Sequence, residues 1–266
     1  MITPLMDGDI TPFLDLAREE GWICDRWEFD FLLRNFPQGC FAYREEGVVL
    51  GYITSVRYGV SGWIGNLLVH PDGRRRGIGR ALMQGAVSAL SASGVETIWL
   101  TASAKGAGLY RKLGFVAIDS VARWVGKGGA ARAGRPVPFE IKSVIEVDRA
   151  GWGERRDALL QVTCSRSRLY SSQAGFLCCQ PWEDGTQIGP WGCLTGHQAE
   201  LLLDQALPGA ERRVFLDVPA GNHAAASLLV KRGFAIKGSS ILMYLGAAPR
   251  YQPGAVFALA SMGSMG

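Results

Sequence analysis

The chain has 266 residues, of which 48% are hydrophobic and 20% charged, enough apolar material for two ordinary domains or one large one. That composition excludes disorder, collagen-like repeats and a coiled coil as the main architecture. A formal net charge of +4 is too small to argue for nucleic acid, although a local basic cluster could still serve an anionic ligand.

Residues 1–7 lack a basic stretch followed by an apolar run, so no signal peptide is expected. No run of 18 apolar residues is present to span a bilayer. The six cysteines, at 24, 40, 164, 178, 179 and 193, form no Cys-x-x-Cys, and the three histidines (His70, His197, His223) stand apart. Free thiols and a cytoplasmic location are expected, with no metal.

Apolar residues at helical spacing predict helices over 10–20 and 27–35. Three strands follow at 40–44, 48–57 and 63–69, separated by turn residues in the manner of an antiparallel meander. Pro71-Asp72-Gly73 ends the third strand, and a helix over 79–91 closes at Gly94. A strand at 97–101, a short helix at 108–113 and a strand at 115–125 complete the first half. Residues 127–138, small, basic and rich in glycine, read as a linker. Beyond it come a polar helix through 155–160, strand-like segments, a helix over 198–207, a strand at 213–218, a helix over 224–231 and a strand opening at 233–236.

The two halves share a pattern. Lys112-Leu113-Gly114-Phe115 matches Lys231-Arg232-Gly233-Phe234 at an offset of 119 residues, and the same offset sets Val69-His70-Pro71 on Ile188-Gly189-Pro190. Two anchors at one offset predict an internal repeat of a single α/β unit.

The segment from Val69 to Leu82 carries the chemistry. A strand ends, a loop containing Arg74, Arg75, Arg76, Gly77, Ile78, Gly79 and Arg80 follows, and a helix begins. N–H groups at a helix start are unpaired and reinforced by the helix dipole. Glycine lets an oxyanion approach the backbone, and arginine pairs with phosphate oxygens. The loop therefore suits a pyrophosphate. Leu82 stands where a dinucleotide fingerprint needs its third glycine, and no Gly-Lys-Ser/Thr follows to make a Walker A loop.

Arg74-x-x-Gly77-x-Gly79 resembles the Gln/Arg-x-x-Gly-x-Gly/Ala signature of the GNAT acyltransferase superfamily. Leu109-Tyr110-Arg111-Lys112-Leu113-Gly114-Phe115 is similar to its second recurrent element. The resemblance covers residues 1–126 well. The whole chain looks like a tandem subgroup with a degenerate second copy. It implies an α/β fold of two GNAT-like domains, each a mixed, mainly antiparallel sheet flanked by helices: 1–126 catalytic, 127–138 a linker, 139–266 degenerate. It also implies acetyl-CoA as co-substrate, with its pyrophosphate on residues 74–80. Backbone groups of Leu67, Leu68 and Val69 would pair with the pantetheine arm and polarise the thioester. Ser103 stands where many members place a pantetheine-binding asparagine, and Tyr110 would protonate the leaving thiolate.

Two departures concern the proton acceptor. Gly65-Asn66 occupies the strand position where members often carry glutamate, and residues 97–101 contain no acid. A lysine-like amine, with a pKa near 10.4, must lose a proton before attack. Glu28 and Asp30 are candidate bases; the competing reading is a solvated helix face.

At the 119 offset, Arg74, Gly77 and Gly79 fall on Cys193, Gly196 and Gln198, and Tyr110 falls on Leu229. The second copy should hold no pyrophosphate, although Asn222 fits an Asn-x-x-Ala-x-x-Leu element. Trp182, Trp191, Cys178 and Cys179 line an acceptor wall or pack a core. His197 and His223 read as structural or surface residues. The expected activity is transfer of an acetyl group to a primary amine, on a small molecule or peptide, by direct attack in a ternary complex. The alternative is a non-catalytic acyl-CoA-binding regulatory protein. Neither nucleic acid nor membrane is an expected partner, and the chain is a monomer or homodimer.

Overall fold

The computed structural model describes residues 1–128, 141–183, 185–207 and 213–266. The first half runs β1 (Ile2–Pro4), α1 (Ile10–Glu19), α2 (Arg26–Asn35), β2 (Phe41–Glu45), β3 (Val48–Tyr58), β4 (Ser61–Val69), α3 (Ile78–Ala92), β5 (Thr97–Ala102), α4 (Ala107–Lys112) and β6 (Val116–Lys127). The second runs α5 (Ile141–Trp152), α6 (Asp157–Arg166), β7 (Arg168–Ser172), β8 (Gly175–Trp182), β9 (Gly185–Cys193), α7 (Gly196–Ala206), β10 (Arg213–Pro219), α8 (His223–Lys231), β11 (Ala235–Gly246) and β12 (Val256–Ala258). The fold is the expected mixed α/β type. Where one helix was expected through 155–160 there are two, divided at Gly153, whose φ of +76° ends α5. β6 continues through Lys127, the first residue of the expected linker; residues 129–138 of that linker lie outside the described residues. Among the described residues no helix is long and apolar enough to cross a membrane.

α3 forms because Ile78, Leu82, Met83, Ala86 and Leu90 recur on one face, all buried. Glycines in the strands let it sit close. A Cβ on Gly51 would lie 2.9 Å from Ile78 Cγ2, and one on Gly62 2.7 Å from Leu90 Cδ2. The other face of the sheet takes α1 and α2, through Ile10, Phe13, Leu16, Phe29 and Leu32. Second-half residues join the same core: Trp152, Leu159, Leu259 and Met265. Trp152 meets Trp63 and Trp99 edge-on, at 6.0 and 5.6 Å between ring centroids. Each such buried side chain contributes roughly 1.5–3 kcal/mol. The halves therefore share a core instead of meeting across a hinge.

They also share a sheet. Its strand order is β1-β2-β3-β4-β5-β11-β6-β10-β9-β8-β7, with β12 beside β9. Only β4/β5 and β9/β10 are parallel. In each half the strand after the short helix lies beside the other half's strand before it: β11, after α8, pairs with β5, and β6, after α4, pairs with β10. β6 and β11 pair with each other, and that register obeys the repeat. Ala235 faces Val125 and Tyr244 faces Val116, two pairs that exchange under the 119 offset. The repeat is thus a pseudo-twofold with exchanged strands.

Candidate active site

β4 and β5 are paired only from Ser61 to Trp63 with Thr97 to Trp99. Beyond these residues β4 has no ladder partner on its β5 side among the described residues, so the two strands open. Asn66 sits at the opening with a φ of +54°, and its side-chain amide donates to Thr54 Oγ1 at 3.1 Å. A residue other than glycine is uncommon in that conformation, and asparagine tolerates it best. The ladder to β3 shifts register at the same place. This bulge directs Leu67 and Val69 toward α3 and α4, while Leu68 packs with α1 and α2.

The loop after β4 delivers an open helix start. Gly77 is the N-cap of α3 at φ +82°, with no side-chain cap, and nothing lies within 4 Å of where its Cβ would be. Gly73 and Arg74 donate their N–H groups to turn carbonyls, and the next such donor is Ala81, to Gly77. Among the described residues the N–H groups from Arg75 to Arg80 therefore have no turn or cap partner. Arg75 and Arg80 are exposed and make no ion pair among the described residues. Arg74 pairs with Glu20, and Arg76 spans both oxygens of Glu45 at 2.8 and 2.7 Å. Each guanidinium holds its partner carboxyl below the ordinary range. Both pairs are solvent-exposed, a setting in which an ion pair contributes little, so a multiply charged phosphate can compete for the arginines.

α4 closes the site. A Cβ on Gly79 would lie 3.7 Å from both Leu109 Cδ2 and Val69 Cγ2, and 4.0 Å from Leu67 Cδ2. The loop, the β4 bulge and the tyrosine-bearing helix thus meet at one point. Tyr110 leans edge-on against Phe115, 6.1 Å between centroids. A single point above Gly106 is 3.4 Å from Ser103 Oγ and 3.6 Å from the Tyr110 hydroxyl. That hydroxyl has no hydrogen bond among the described residues. Burial pushes the phenol up to about 12, so it stays protonated throughout the neutral range.

Asp30 is exposed and ion-paired with Arg26, as a solvated helix face requires. Glu28 departs from that reading: it is 1% exposed, and neither carboxylate oxygen has a hydrogen-bond partner. Burial is the largest influence on it and pushes it up to about 8; the Ser264 hydroxyl is the main opposing influence, the Asp25 charge adds to the rise and Arg166 opposes it. The sequence signal was available but ambiguous, because polar and apolar residues alternate through Arg26-Trp27-Glu28-Phe29-Asp30 and helical phase decides the face.

The second half lacks the loop altogether. Eight residues separate β4 from α3, but only two separate β9 from α7. Gly189-Pro190, aligned by the offset with His70-Pro71, lies inside β9 and is cis. The Thr195 hydroxyl caps α7 by accepting from Gln198 N at 3.3 Å, so the helix start is already occupied. Trp191, Cys178 and Cys179 are buried in second-half cores, and Trp182 donates Nε1 to Gln187 Oε1 at 3.0 Å. Asn222 caps α8 through Ala225 N.

Comparison with known proteins agrees with this geometry. The model of the acetyltransferase (GNAT) family matches residues 8–115, and that of an acetyltransferase (GNAT) domain matches 144–258. The chain belongs to the GNAT acetyltransferase family, with one such domain in each half. It is 43% identical over 53 residues to the alanine N-acetyltransferases of ribosomal protein bS18 from Escherichia coli K12 and Salmonella typhimurium LT2, 19% of this chain and 36% of each relative. The match thus spans about a third of those relatives' length. Over the full fold, the chain is similar to a protein of Pyrococcus horikoshii provisionally assigned as an acetyltransferase: TM-score 0.82, 23% identity, 100% of this chain and 95% of that one. A tandem GNAT protein from the clavulanic acid biosynthesis pathway superposes with a TM-score of 0.64 at 18% identity, over 94% and 99% of the two chains.

Proposed function

We propose that this protein is an acetyl-CoA-dependent N-acetyltransferase, with its working site in the first half and a degenerate copy completing the fold. The observation that supports this most directly is the row of unpaired N–H groups from Arg75 to Arg80 at an uncapped helix start. Such a cradle fits a pyrophosphate. Gly77, Ile78 and Gly79 offer it backbone donors, and Arg74, Arg75, Arg76 and Arg80 add positive charge. Acetyl-CoA supplies the acetyl thioester. Leu67, Leu68 and Val69, beyond the point where β4 and β5 part, are suited to hold an extended amide-bearing arm, with the Ser103 hydroxyl at its edge.

The acceptor is a primary amine on a small molecule or peptide, and transfer is direct. The amine nitrogen forms a bond to the acetyl carbon, and the carbon–sulfur bond breaks. The Tyr110 hydroxyl meets the negative charge developing on sulfur as a hydrogen-bond donor and supplies the thiol proton. A covalent route through cysteine has less support. Thiolates are the nucleophiles, whereas burial pushes Cys40, Cys179 and Cys193 up to about 12. The reading places the protein in the cytoplasm. A non-catalytic acyl-CoA-binding role is the second reading, favoured by Gly65 and Asn66, which put no acid on β4.

Steady-state assays over a panel of primary amines separate the two. Turnover that falls at least tenfold in Tyr110→Phe, with acetyl-CoA affinity unchanged, supports the enzyme. Acetyl-CoA binding without turnover on any amine supports the regulatory role.

A further inference from the structure

Residues 261–266 lie against β4 at the foot of the opening. A Cβ on Gly65 would sit 2.4 Å from the Ser264 carbonyl oxygen and 2.7 Å from Ser264 Cα, so this glycine makes the room that the segment fills. The segment is irregular and packed into the shared core, with Met265 fully buried: Trp63 Nε1 donates to Gly263 O at 3.1 Å, the Tyr58 hydroxyl to Met265 O at 2.9 Å, Met265 N to Ser261 Oγ at 2.9 Å and Ala260 N to Gly266 O at 2.7 Å. Ser264 Oγ is buried without a partner. Beside it is the Glu28 carboxyl, 1% exposed; the Ser264 hydroxyl offsets part of its burial, although neither group makes a hydrogen bond of ordinary geometry. Gly65 is two residues before Leu67, about 7 Å along a strand. A carboxyl sealed in a core with so little compensation is costly, and this one lies beside the segment that rests on Gly65 of β4. The charged and titratable groups around it are Cys24 and Asp25 at the start of α2 and Arg166 on α6.

We infer that the acceptor amine binds where Ser264 now rests on Gly65, and that Glu28 takes its proton. The site suits a primary ammonium on a slim, apolar body, because the segment it replaces lies between Gly65, which has no side chain, and the rings of Tyr58 and Trp63. The inference rests on the acetyltransferase reading and supplies the base that β4 lacks. A primary ammonium must shed two protons to become an amide. One goes to the Glu28 carboxylate and on to solvent. The other replaces the proton that Tyr110 gives to sulfur. The amide carbon–nitrogen bond forms, the carbon–sulfur bond breaks, and the balance closes on amide, free thiol and one released proton. The segment 261–266 must move aside for the amine to enter.

The test uses the full chain with straight-chain alkylamines, an aralkylamine and a short peptide with a free amino terminus. Tryptophan fluorescence is titrated with each amine in the presence of CoA. Displacing the segment from Trp63 predicts a saturable change with at least one amine, lost in Glu28→Gln. Turnover of that amine should rise with pH through a single ionisation, and Glu28→Gln should lower kcat about 100-fold or more and abolish that limb. Acetyl-CoA titration by calorimetry runs alongside, and its heat should be the same for wild type and variant. Failure of acetyl-CoA to bind wild type overturns the acetyltransferase reading itself. With acetyl-CoA bound, either no saturable change with any amine or an unchanged pH limb in Glu28→Gln overturns the inference alone.

Discussion

Glu28 carries a consequence for stability that is independent of any reaction. Its folded pKa, about 8, lies above the ordinary 4.5. Below about pH 4.5 the carboxyl is neutral in both folded and unfolded chains, and its ionisation changes nothing. Between 4.5 and 8 the unfolded chain sheds the proton and the folded chain keeps it, so wild type loses stability relative to Glu28→Gln as pH rises. Above 8 the gap is constant, on the order of a few kcal/mol. Thermal melts of both proteins across this range should diverge upward in pH, with the variant the more stable. Parallel curves would mean that Glu28 ionises freely in the folded protein. Tyr110→Phe should leave the melting temperature unchanged, since no hydrogen bond of its hydroxyl is lost. The open helix start was legible because a left-handed turn ahead of α3 calls for glycine at position 77, where φ is +82°. The state of Glu28 was not, because burial depends on chain segments more than 100 residues away.

At the scale of elements, the loop before α3 and its missing counterpart before α7 explain why only one half should bind. Gly77→Glu places a carboxylate at the mouth of the cradle and forces a non-glycine residue to φ +82°, a conformation costing roughly 1–2 kcal/mol. Acetyl-CoA binding should vanish in that variant. Gly196→Glu, whose Cβ would meet only Ala224 at 3.7 Å, should bind as wild type does. Heat lost in Gly196→Glu would contradict the one-site account. Helices with strong apolar periodicity were readable to within a few residues. β1 and β12, three residues each, are too short for periodicity to register. The offset of 119 concealed the shortened loop because the anchors on either side still aligned.

Across the whole molecule, exchange of β6 and β11 makes each half dependent on the other. β11 brings Met243 into the core beneath α3, and β6 brings Trp124 into the core of the second half. Residues 1–128 expressed alone should expose the β5 edge and fail to give a cooperative melt; co-expression with 141–266 should restore one. A cooperative melt of the isolated first half would mean that the exchange is dispensable. The repeat itself was legible, but its strand exchange was not: β6 and β11 have equivalent sequence positions, and either could pair with β5. The claim on which the whole account turns is a single acetyl-CoA site per chain, at the start of α3. Calorimetric titration of acetyl-CoA into the purified protein tests it most directly. One site per chain is expected, lost in Gly77→Glu and kept in Gly196→Glu. Two sites per chain, or no heat at millimolar ligand, would contradict it.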